Sequence, residues 1–306
     1  MILTVTLNAA LDVTYRVPRL EPHATHRVRE VVERPGGKGL NVARVLAALG
    51  HGTTVTGLVG GRTGEALRAL LRQTAPGVAD ALVTVAGDTR RTVAVVDGSS
   101  GDTTMFNEPG PVISPEEWTA FLDRYRELLA DARAVALCGS LPPGLPVGSY
   151  AELVRTARSV GVPVLLDTSG EALRRGIAAR PDVVKPNAEE LAQLTGLTDP
   201  LRAAREARRR GARAVVASGG AEGMLAVTER GIWRAAPPRR LSGNPTGAGD
   251  SAVAGLLSAT AEDLPWPDRL ARAVALSAAT VLTSAAGEFD RERYEVLLPQ
   301  VAVTEQ

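Results

Sequence analysis

The 306-residue sequence predicts an α/β fold: a mostly parallel sheet covered by helices on both faces, with a small β-sheet lid over it. In the C-terminal two thirds, short apolar runs alternate with amphipathic helical runs, which is typical of parallel strands joined by crossover helices. In the N-terminal third, strand-like runs follow one another without helices between them, which indicates a second sheet. Because neither repeats nor low-complexity linkers divide the chain, we expect residues 1–306 to form one domain.

The elements of the main domain follow from local patterns. Buried strands are expected at residues 2–8, 134–138, 163–167, 182–185 and 214–217. Ser114 predicts a helix start, because proline occupies the first helical position and glutamate follows three residues after the cap. The arginine-rich run 202–210 predicts a helix whose charges face solvent, since Leu201, Ala204 and Ala207 recur at inward positions.

The lid strands are expected within residues 13–33 and 90–107. The segments concerned are 13–17, 26–33, 91–97 and 103–107. Since they are inserted between parts of the α/β pattern, they predict a cover over a ligand cleft of the main domain.

Composition excludes several classes of protein. With 35 basic and 34 acidic side chains, the chain has no broad positive electrostatic field that would bind a nucleic acid or an anionic membrane. Cys138 is the only cysteine, which excludes an internal disulfide and a multi-cysteine zinc site. No stretch reaches the roughly 18 apolar residues of a membrane span. We therefore expect a cytoplasmic protein that binds its ligands locally.

The segment 244–250 carries the sharpest signal for chemistry. Gly247 and Gly249 allow a tight turn before the helical run 251–259, so main-chain N–H groups at the helix start can point at a phosphate. Asp250 then lies where a carboxylate can accept a proton from a hydroxyl held against that phosphate. The alternative is a glycine turn in which Asp250 only stabilises the helix dipole.

The same segment also fits G-x-G-x-x-A through Gly247, Gly249 and Ala252, which would indicate a dinucleotide-binding oxidoreductase. That fingerprint needs a buried strand directly before the glycines, whereas residues 237–240 read Pro-Pro-Arg-Arg. The pattern G-x-x-x-x-G-K-[ST] is absent from the sequence. The oxidoreductase interpretation is therefore the weaker one, while the phosphate cradle and the glycine turn with a helix-start aspartate both stay open for this segment taken alone.

Polar residues near the N-terminus indicate a ligand with hydroxyl and phosphate groups. The glycine loop 35–39 leads into a helix over residues 41–49, and its Lys38 and Asn41 offer side-chain hydrogen bonds. Asp12 is expected at the carboxyl edge of the first strand, where parallel sheets bind ligands. A flexible turn and a turn-forming aspartate are the competing interpretations.

Arg27 and Arg90 lie in the predicted lid strands, and each can bind a phosphate through two hydrogen bonds. The alternative is that they are surface arginines without a role in binding.

Asn187 and Glu190 follow the strand 182–185 and suit Mg²⁺ water ligands or a triphosphate, but Glu190 also fits an acidic residue at a helix start. The glycine-rich run 218–223 suits a nucleotide, and a hairpin turn is the alternative.

Taken together, these segments resemble the PfkB-type carbohydrate kinases, also called the ribokinase-like family, over nearly the whole chain. The motifs occur in the order that this family uses. They are residues 2–8 with Asp12, 36–41, 139–144, 167–173, 185–187 and 246–250. The resemblance implies the ribokinase-like three-layer α/β/α fold and a kinase that uses ATP and Mg²⁺. It also implies a homodimer in which the lid sheets contact each other.

The resemblance assigns a role to each matching residue. It implies Asp250 as the catalytic base, beside an anion hole formed by Gly247, Ala248 and Gly249. The implied substrate contacts are Asp12, Gly37, Lys38, Asn41 and Ser140, with Arg27 and Arg90 on the substrate's phosphate. The implied nucleotide contacts are Lys185, Asn187, Ser218, Gly220, Gly223 and Thr246. Glu190 would hold Mg²⁺ through water.

Within the family, the chain is most similar to the hexose-phosphate branch. This implies a ketohexose phosphate as substrate, with D-fructose 1-phosphate first and tagatose 6-phosphate or fructose 6-phosphate as alternatives. The segment 90–94 departs from the pattern of 1-phosphofructokinases and leaves these alternatives open. A sugar or nucleotide sensor without activity is the non-kinase alternative. Because an aspartate pKa is ordinarily about 3.9, we expect Asp250 to need no unusual tuning.

Overall fold

The computed structural model describes residues 1–283 and 285–306. In chain order, the strands are β1 (Ile2–Thr6), β2 (Ala10–Val17), β3 (Glu30–Gly36), β4 (Thr53–Gly60), β5 (Val78–Asp80), β6 (Val83–Val85), β7 (Arg90–Asp97), β8 (Thr103–Asn107), β9 (Ala134–Cys138), β10 (Val164–Asp167), β11 (Val183–Val184), β12 (Ala214–Ser218), β13 (Met224–Val227), β14 (Ile232–Ala236) and β15 (Ala302–Glu305). The helices are α1 (Lys38–Ala48), α2 (Gly61–Thr74), α3 (Pro115–Leu129), α4 (Ser149–Ser159), α5 (Gly170–Ala178), α6 (Ala188–Thr195), α7 (Pro200–Arg209), α8 (Ala248–Ala261), α9 (Trp266–Val281) and α10 (Arg291–Leu297).

The main sheet is mostly parallel, as predicted. Its strand order is β15-β14-β13-β12-β11-β10-β9-β1-β4-β5, with β6 also paired to β4. The strands from β12 through β9 and β1 to β5 pair in parallel, whereas β13, β14 and β15 extend the sheet in antiparallel pairs. The carboxyl ends of β1, β9 and β10 therefore meet at one edge, where ligand sites of α/β sheets usually lie.

Helices cover both faces of this sheet, which confirms the predicted three-layer arrangement. In β9 all five residues are buried, as expected of a parallel strand with helices on each side. Val135 and Leu137 pack in the core with Phe121 of α3, whereas Ala134 and Ala136 pack in a second core with α1, α8 and α9. Among the described residues, no helix is both long and apolar enough to cross a bilayer.

A second sheet, the lid sheet, has the strand order β3-β2-β7-β8. β2 pairs in parallel with β7, while β3 and β8 pair antiparallel on the outside. Strand β8 has the predicted bounds. The predicted strand 26–33 is displaced, because the paired register runs only from Ala10↔Gly36 to Arg16↔Glu30. Arg27 therefore lies in an exposed loop and not in a lid strand, which corrects the prediction.

Two predicted helices are confirmed in detail. The Ser114 hydroxyl accepts a hydrogen bond from the Glu117 amide, and the Glu117 carboxylate accepts one from the Ser114 amide, completing a capping box at the start of α3. In α7, Ala204 and Ala207 are buried. The arginine-rich face of α7 points away from the core, as its spacing predicted.

Candidate active site

The turn before α8 has the geometry of an anion-binding site. Gly247, the residue before the helix, has φ of 82°, and a Cβ atom there would lie 2.6 Å from Ala286 Cα, so only glycine fits. Among the residues that the structure describes, no side chain caps the helix. The Ala248 amide, expected in the anion hole, instead donates to the Pro245 carbonyl at 3.1 Å. The amides of Gly249 and Asp250, in the first helical turn, have no intrahelical acceptor and remain for an anion.

Asp250 lies in the first turn of α8, as predicted, and only 7% of it is exposed. Its Oδ2 accepts a hydrogen bond of 2.8 Å from the Asn41 amide nitrogen. Burial, followed by the nearby Asp167 carboxylate, raises the pKa of Asp250 to about 6, although Lys38 and Asn41 act in the opposite direction. The expectation of an ordinary pKa is therefore wrong, because the carboxylate is desolvated and lies near a second one.

A buried cluster of charges lies beside Asp250. Asp167, at the end of β10, is 1% exposed and lies 3.3 Å from the Lys38 ammonium and 3.4 Å from the Lys185 ammonium. The Lys185 ammonium also lies 3.6 Å from the place where a Cβ atom on Gly249 would sit. Asp167 thus holds two cations next to the anion-binding turn.

Sequence reasoning did not assign a role to Asp167. Two features of the sequence could have indicated such a role: Asp167 begins the motif 167–173, and it ends the expected strand 163–167. Lys38, for which a sugar contact is expected, pairs with Asp167. Burial alone would lower the pKa of Lys38. The charges of Asp167, Asp250 and Glu190 outweigh it and raise this pKa above its ordinary value.

The glycine loop and α1 bring polar groups to the same place. Gly37, with φ of 112°, ends the loop, and a Cβ atom on it would lie 2.8 Å from the Thr6 hydroxyl. Helix α1 begins at Lys38, three residues earlier than expected. Lys38 and Asn41 are one helical turn apart and reach Asp167 and Asp250, respectively.

A cavity of about 240 Å³, the lid cavity, lies between the lid sheet and the main domain. Its walls come from the inner face of β2, β3, β7 and β8 together with α1 and the loops 244–246 and 285–286. The polar side chains that line it are Asp12, Thr14, Arg16, Glu30, Arg34, Asn41, Arg44, Thr92, Thr103, Asn244 and Thr246. Such a lining suits a small ligand with many hydroxyl groups.

A second cavity of about 470 Å³, the α9 cavity, lies on the other side of the same loop. Its residues are mostly apolar or glycine. They include Gly220, Ala221, Gly223, Met224, Pro237, Leu241, Gly243, Pro245, Ala248, Val274, Ser277 and Val281. Residues 243, 245 and 248 face this cavity, whereas residues 244 and 246 face the lid cavity. The loop before Asp250 therefore has a cavity on each side. Ala248, two residues before Asp250, lines the α9 cavity, and Asn41, the hydrogen-bond donor to Asp250, lines the lid cavity.

Thr246, expected at the nucleotide, lines the lid cavity instead. Ser218 ends β12, and Gly220 and Gly223 lie in the hairpin turn that joins β12 to β13. Both turn glycines line the α9 cavity. The hairpin and the nucleotide interpretations of this segment are thus compatible.

Asp12 lies inside strand β2 and not at the end of the first strand, because β2 begins at Ala10. It pairs with Arg34 and Thr92 of the neighbouring strands and faces the lid cavity. Burial raises the pKa of Asp12 to about 6, against the opposing effects of Arg90 and a hydrogen bond to Thr92.

Arg90 and Ser140 meet at Asn8. The Arg90 Nε donates to the Asn8 carbonyl at 3.2 Å, and the Asn8 side-chain amide donates to the Ser140 hydroxyl at 3.2 Å. Arg27, the predicted partner of Arg90, lies in the exposed loop between β2 and β3. The structure therefore joins Arg90 to Ser140 but does not place Arg27 with them.

Asn187 and Glu190 form a capping box at the start of α6. The Asn187 Oδ1 accepts from the Glu190 amide at 2.8 Å, and the Glu190 Oε2 accepts from the Asn187 amide at 2.9 Å. Within the described ranges, no three His, Cys, Asp or Glu side chains are grouped to hold a metal ion. Glu190 keeps its second carboxylate oxygen outside the cap, which fits Mg²⁺ held through water, since Mg²⁺ usually binds one or two carboxylates plus substrate phosphates.

Similarity to known proteins shows the class of this chain, a phosphotransferase that acts on a sugar hydroxyl. Residues 4–292 match the pfkB family carbohydrate kinase, and the chain belongs to this family. The dinucleotide-binding oxidoreductase interpretation is thereby wrong. Residues 237–246, which belong to no strand, separate β14 from Gly247.

Solved structures of similar proteins agree with this assignment. The tetrameric inhibited form of phosphofructokinase-2 from Escherichia coli is 32% identical, with 97% of this chain and 98% of that chain covered and a TM-score of 0.90. A Thermotoga maritima protein named as a possible 1-phosphofructokinase is 28% identical, with 100% and 99% covered and a TM-score of 0.90. Ribokinase from Arabidopsis thaliana, at 22% identity, 97% and 98% coverage and a TM-score of 0.74, shares the fold.

Proposed function

We propose that this sugar kinase uses ATP and Mg²⁺ to phosphorylate a ketohexose phosphate, with D-fructose 1-phosphate as the first candidate substrate. Tagatose 6-phosphate and fructose 6-phosphate are the alternatives. One observation carries the proposal: residues 243–248 separate the lid cavity from the α9 cavity at the turn that presents Asp250. A sugar in the first cavity and a nucleotide in the second would meet at this carboxylate.

In this mechanism Asp250 is the general base. Its carboxylate takes the proton of the sugar hydroxyl as that oxygen attacks the γ-phosphate. The hydrogen bond from Asn41 to Oδ2 fixes the carboxylate and leaves Oδ1 for the hydroxyl. With a pKa of about 6, the group is ionised at neutral pH and still basic enough to receive a proton.

The transferred phosphate would lie against the Gly249 and Asp250 amides, which point from the start of α8. Lys185, held by Asp167 beside Gly249, adds a positive charge at this point. Mg²⁺, held by the ATP phosphates and by Glu190 through water, would neutralise charge that develops on the phosphate oxygens. Most of the rate increase then comes from positioning and electrostatic stabilisation.

The substrate proposal rests on the lid cavity and on the relatives. Asp12 and Asn41 line that cavity and can bind sugar hydroxyls. Arg90, linked to Ser140 through Asn8, is the proposed ligand of the phosphate that the substrate already carries. Phosphofructokinase-2 from Escherichia coli, 31% identical, has been solved in complex with fructose-6-phosphate, whereas the Thermotoga protein is named as a possible 1-phosphofructokinase.

An ADP-release assay with a panel of sugars tests this function. The panel comprises fructose 1-phosphate, fructose 6-phosphate, tagatose 6-phosphate and unphosphorylated ketohexoses. We expect kcat/KM for at least one ketohexose phosphate to exceed that of every unphosphorylated ketohexose by at least about tenfold, and to be highest for fructose 1-phosphate. A loss of one bound phosphate contact costs about 1.5 to 3 kcal/mol, which corresponds to tenfold or more.

The variant Arg90→Ala tests whether Arg90 binds the phosphate of the substrate. It should raise KM for the phosphorylated sugar and leave KM for ATP nearly unchanged. Unphosphorylated sugars as the best substrates would refute the ketohexose-phosphate proposal. Binding of ATP and sugar without ADP release on any substrate would instead support a sensor without activity.

We further propose a homodimer formed through the lid sheet. The outer face of this sheet exposes apolar side chains that a partner lid would cover: Val31 is 56% exposed and Phe106 is 59% exposed. Neighbouring residues Val32 and Met105 line the lid cavity, so Val31 and Phe106 lie on the opposite face of their strands. An exposed apolar face on a β-sheet is typical of a contact between subunits.

The variant Phe106→Glu should therefore shift the protein from dimer to monomer in sedimentation velocity at micromolar concentration, because it would bury a charge against the partner lid. Val160→Glu is the matched control, since Val160 is 60% exposed at the end of α4, far from the lid. Equal dimer content in both variants and the parent would place the contact elsewhere.

A further inference from the structure

Helix α1 directs three polar side chains toward three different elements around the active site. Lys38, Asn41 and Arg44 follow at intervals of three residues and therefore share one helix face. Lys38 reaches Asp167 on β10, and Asn41 reaches Asp250 on α8. Arg44 reaches Ala286 and Glu288, which lie in the loop 286–288 between α9 and α10.

Arg44 is 7% exposed, which is unusual for an arginine. Its Nη1 donates to the Ala286 carbonyl at 3.1 Å, and its Nη2 donates to the Glu288 carboxylate at 3.0 Å. Burial lowers the pKa of Arg44, while the Glu288 charge raises it, so the ion pair offsets part of the desolvation. The guanidinium thus holds the loop at two points.

That loop is the surface on which the anion-binding turn rests. A Cβ atom on Gly247 would lie 2.6 Å from Ala286 Cα and 2.8 Å from Ala286 Cβ, so the two backbones are in close contact. The Ala286 carbonyl is also an acceptor of Arg44. A continuous path of contacts therefore runs from Arg44 through Ala286 to Gly247, the residue that precedes α8.

We propose that Arg44 is a positioning residue for phosphoryl transfer. It fixes the loop 286–288 against Gly247 and thereby fixes the Gly249 and Asp250 amides that receive the γ-phosphate. Asn41 and Arg44 hold the two parts of the reaction centre from one rigid helix: Asn41 the base, and Arg44 the anion-binding turn. This inference rests on the proposed function of that turn.

Arg44 also lines the lid cavity, where the Arg34 and Arg16 side chains lie as well. A direct contact with the sugar is therefore the rival interpretation, and kinetics separates the two roles. A positioning residue affects kcat, because a displacement of about 1 Å at the phosphate costs about 100-fold in rate. A sugar ligand would instead affect KM for the sugar.

The test compares Arg44→Met and Arg44→Lys with Arg272→Lys. Arg272 is a matched control because it is partly buried and donates to the Glu262 carboxylate and the Ser258 hydroxyl, away from the turn. Steady-state ADP release gives kcat and both KM values. Hydrogen exchange followed by mass spectrometry reports on residues 244–251 and 285–290.

For Arg44→Met we expect kcat to fall by about 10- to 100-fold, with KM for the sugar within about threefold of the parent. Exchange should accelerate in both segments. The kcat of Arg44→Lys should lie between those of the parent and Arg44→Met, because a lysine reaches only one of the two acceptors. Glu288→Gln, a change at a partly exposed residue, should loosen the same segments if Arg44→Met fails to fold.

Two results would overturn the inference. One is unchanged exchange over residues 244–251 while 285–290 exchanges faster, which would show that the loop does not hold the turn. The other is a raised sugar KM with unchanged kcat, which would make Arg44 a sugar ligand. If the parent protein itself transfers no phosphate, the proposed function fails, but the exchange experiment still decides whether Arg44 orders the turn.

Discussion

Replacement of Asp250 by asparagine is expected to reduce kcat by about 10²- to 10⁴-fold, the contribution typical of a general base. The change keeps the shape of the side chain and its partner Asn41, which lies 2.8 Å away, but removes the group that accepts the proton. The amides at the start of α8 and both cavities remain. Affinities for ATP and for the sugar, measured by calorimetry, should therefore stay within about threefold of the parent, since only transition-state stabilisation is lost.

Asp199→Asn is the control for this prediction. Asp199 also occupies a helix start, where its carboxylate accepts a hydrogen bond from the Arg202 amide, but it lies on α7. Asparagine is an equally good cap, so this variant should keep full activity. Near-normal turnover of Asp250→Asn would remove Asp250 from the role of base.

Replacement of Asp167 by asparagine should have two effects. It leaves the Lys38 and Lys185 ammonium groups, both within 3.4 Å of the lost carboxylate, without their shared partner. Because Asp167 and Lys185 are almost fully buried, we expect the free energy of unfolding to fall by about 3 kcal/mol, as when one partner of a buried ion pair is removed. Chemical denaturation measures this loss.

The second effect concerns the pH dependence of catalysis. Asp250 must be ionised to accept a proton, and its pKa is raised to about 6 by burial and by the Asp167 charge. In the parent, kcat/KM should therefore decline as the pH falls through about 6. Without the Asp167 charge the carboxylate ionises more easily, so this decline should move to lower pH.

Asp182→Asn is the matched control for Asp167→Asn. Asp182 also pairs with a cation, Arg213 at 3.0 Å, but lies at the opposite end of the sheet strands from Asp250. The Asp182→Asn variant should lower the free energy of unfolding but leave unchanged the pH at which kcat/KM declines. A decline at the same pH in Asp167→Asn and in the parent would show that Asp167 does not tune the base.

The sequence predicts best those elements whose signal is local. Strand β9 has the predicted bounds because its continuous apolar run is what burial on both faces requires. The start of α3 is correct because a capping box is complete within four residues. The glycine turn before Asp250 is also local, which is why its place at the start of α8 could be predicted.

Features that depend on distant partners could not be predicted. The error at Arg27 arises because residues 26–29 alternate like a strand, while their partner β2 ends at Val17, just before Pro18. Lys38 and Asp167 are 129 positions apart, so no local pattern indicates their ion pair. The raised pKa of Asp250 has the same origin, since both burial and the charge of Asp167 come from tertiary packing.

A crystal structure with a non-hydrolysable ATP analogue, Mg²⁺ and the best ketohexose phosphate of the panel tests the central claim most directly. The account predicts the γ-phosphate on the Gly249 and Asp250 amides, with one sugar hydroxyl within roughly 3 Å of the Asp250 carboxylate. The nucleotide base should fill the α9 cavity and the sugar the lid cavity. A complex in which either reactant lies outside these two cavities, or in which Asp250 points away from the sugar, would contradict it.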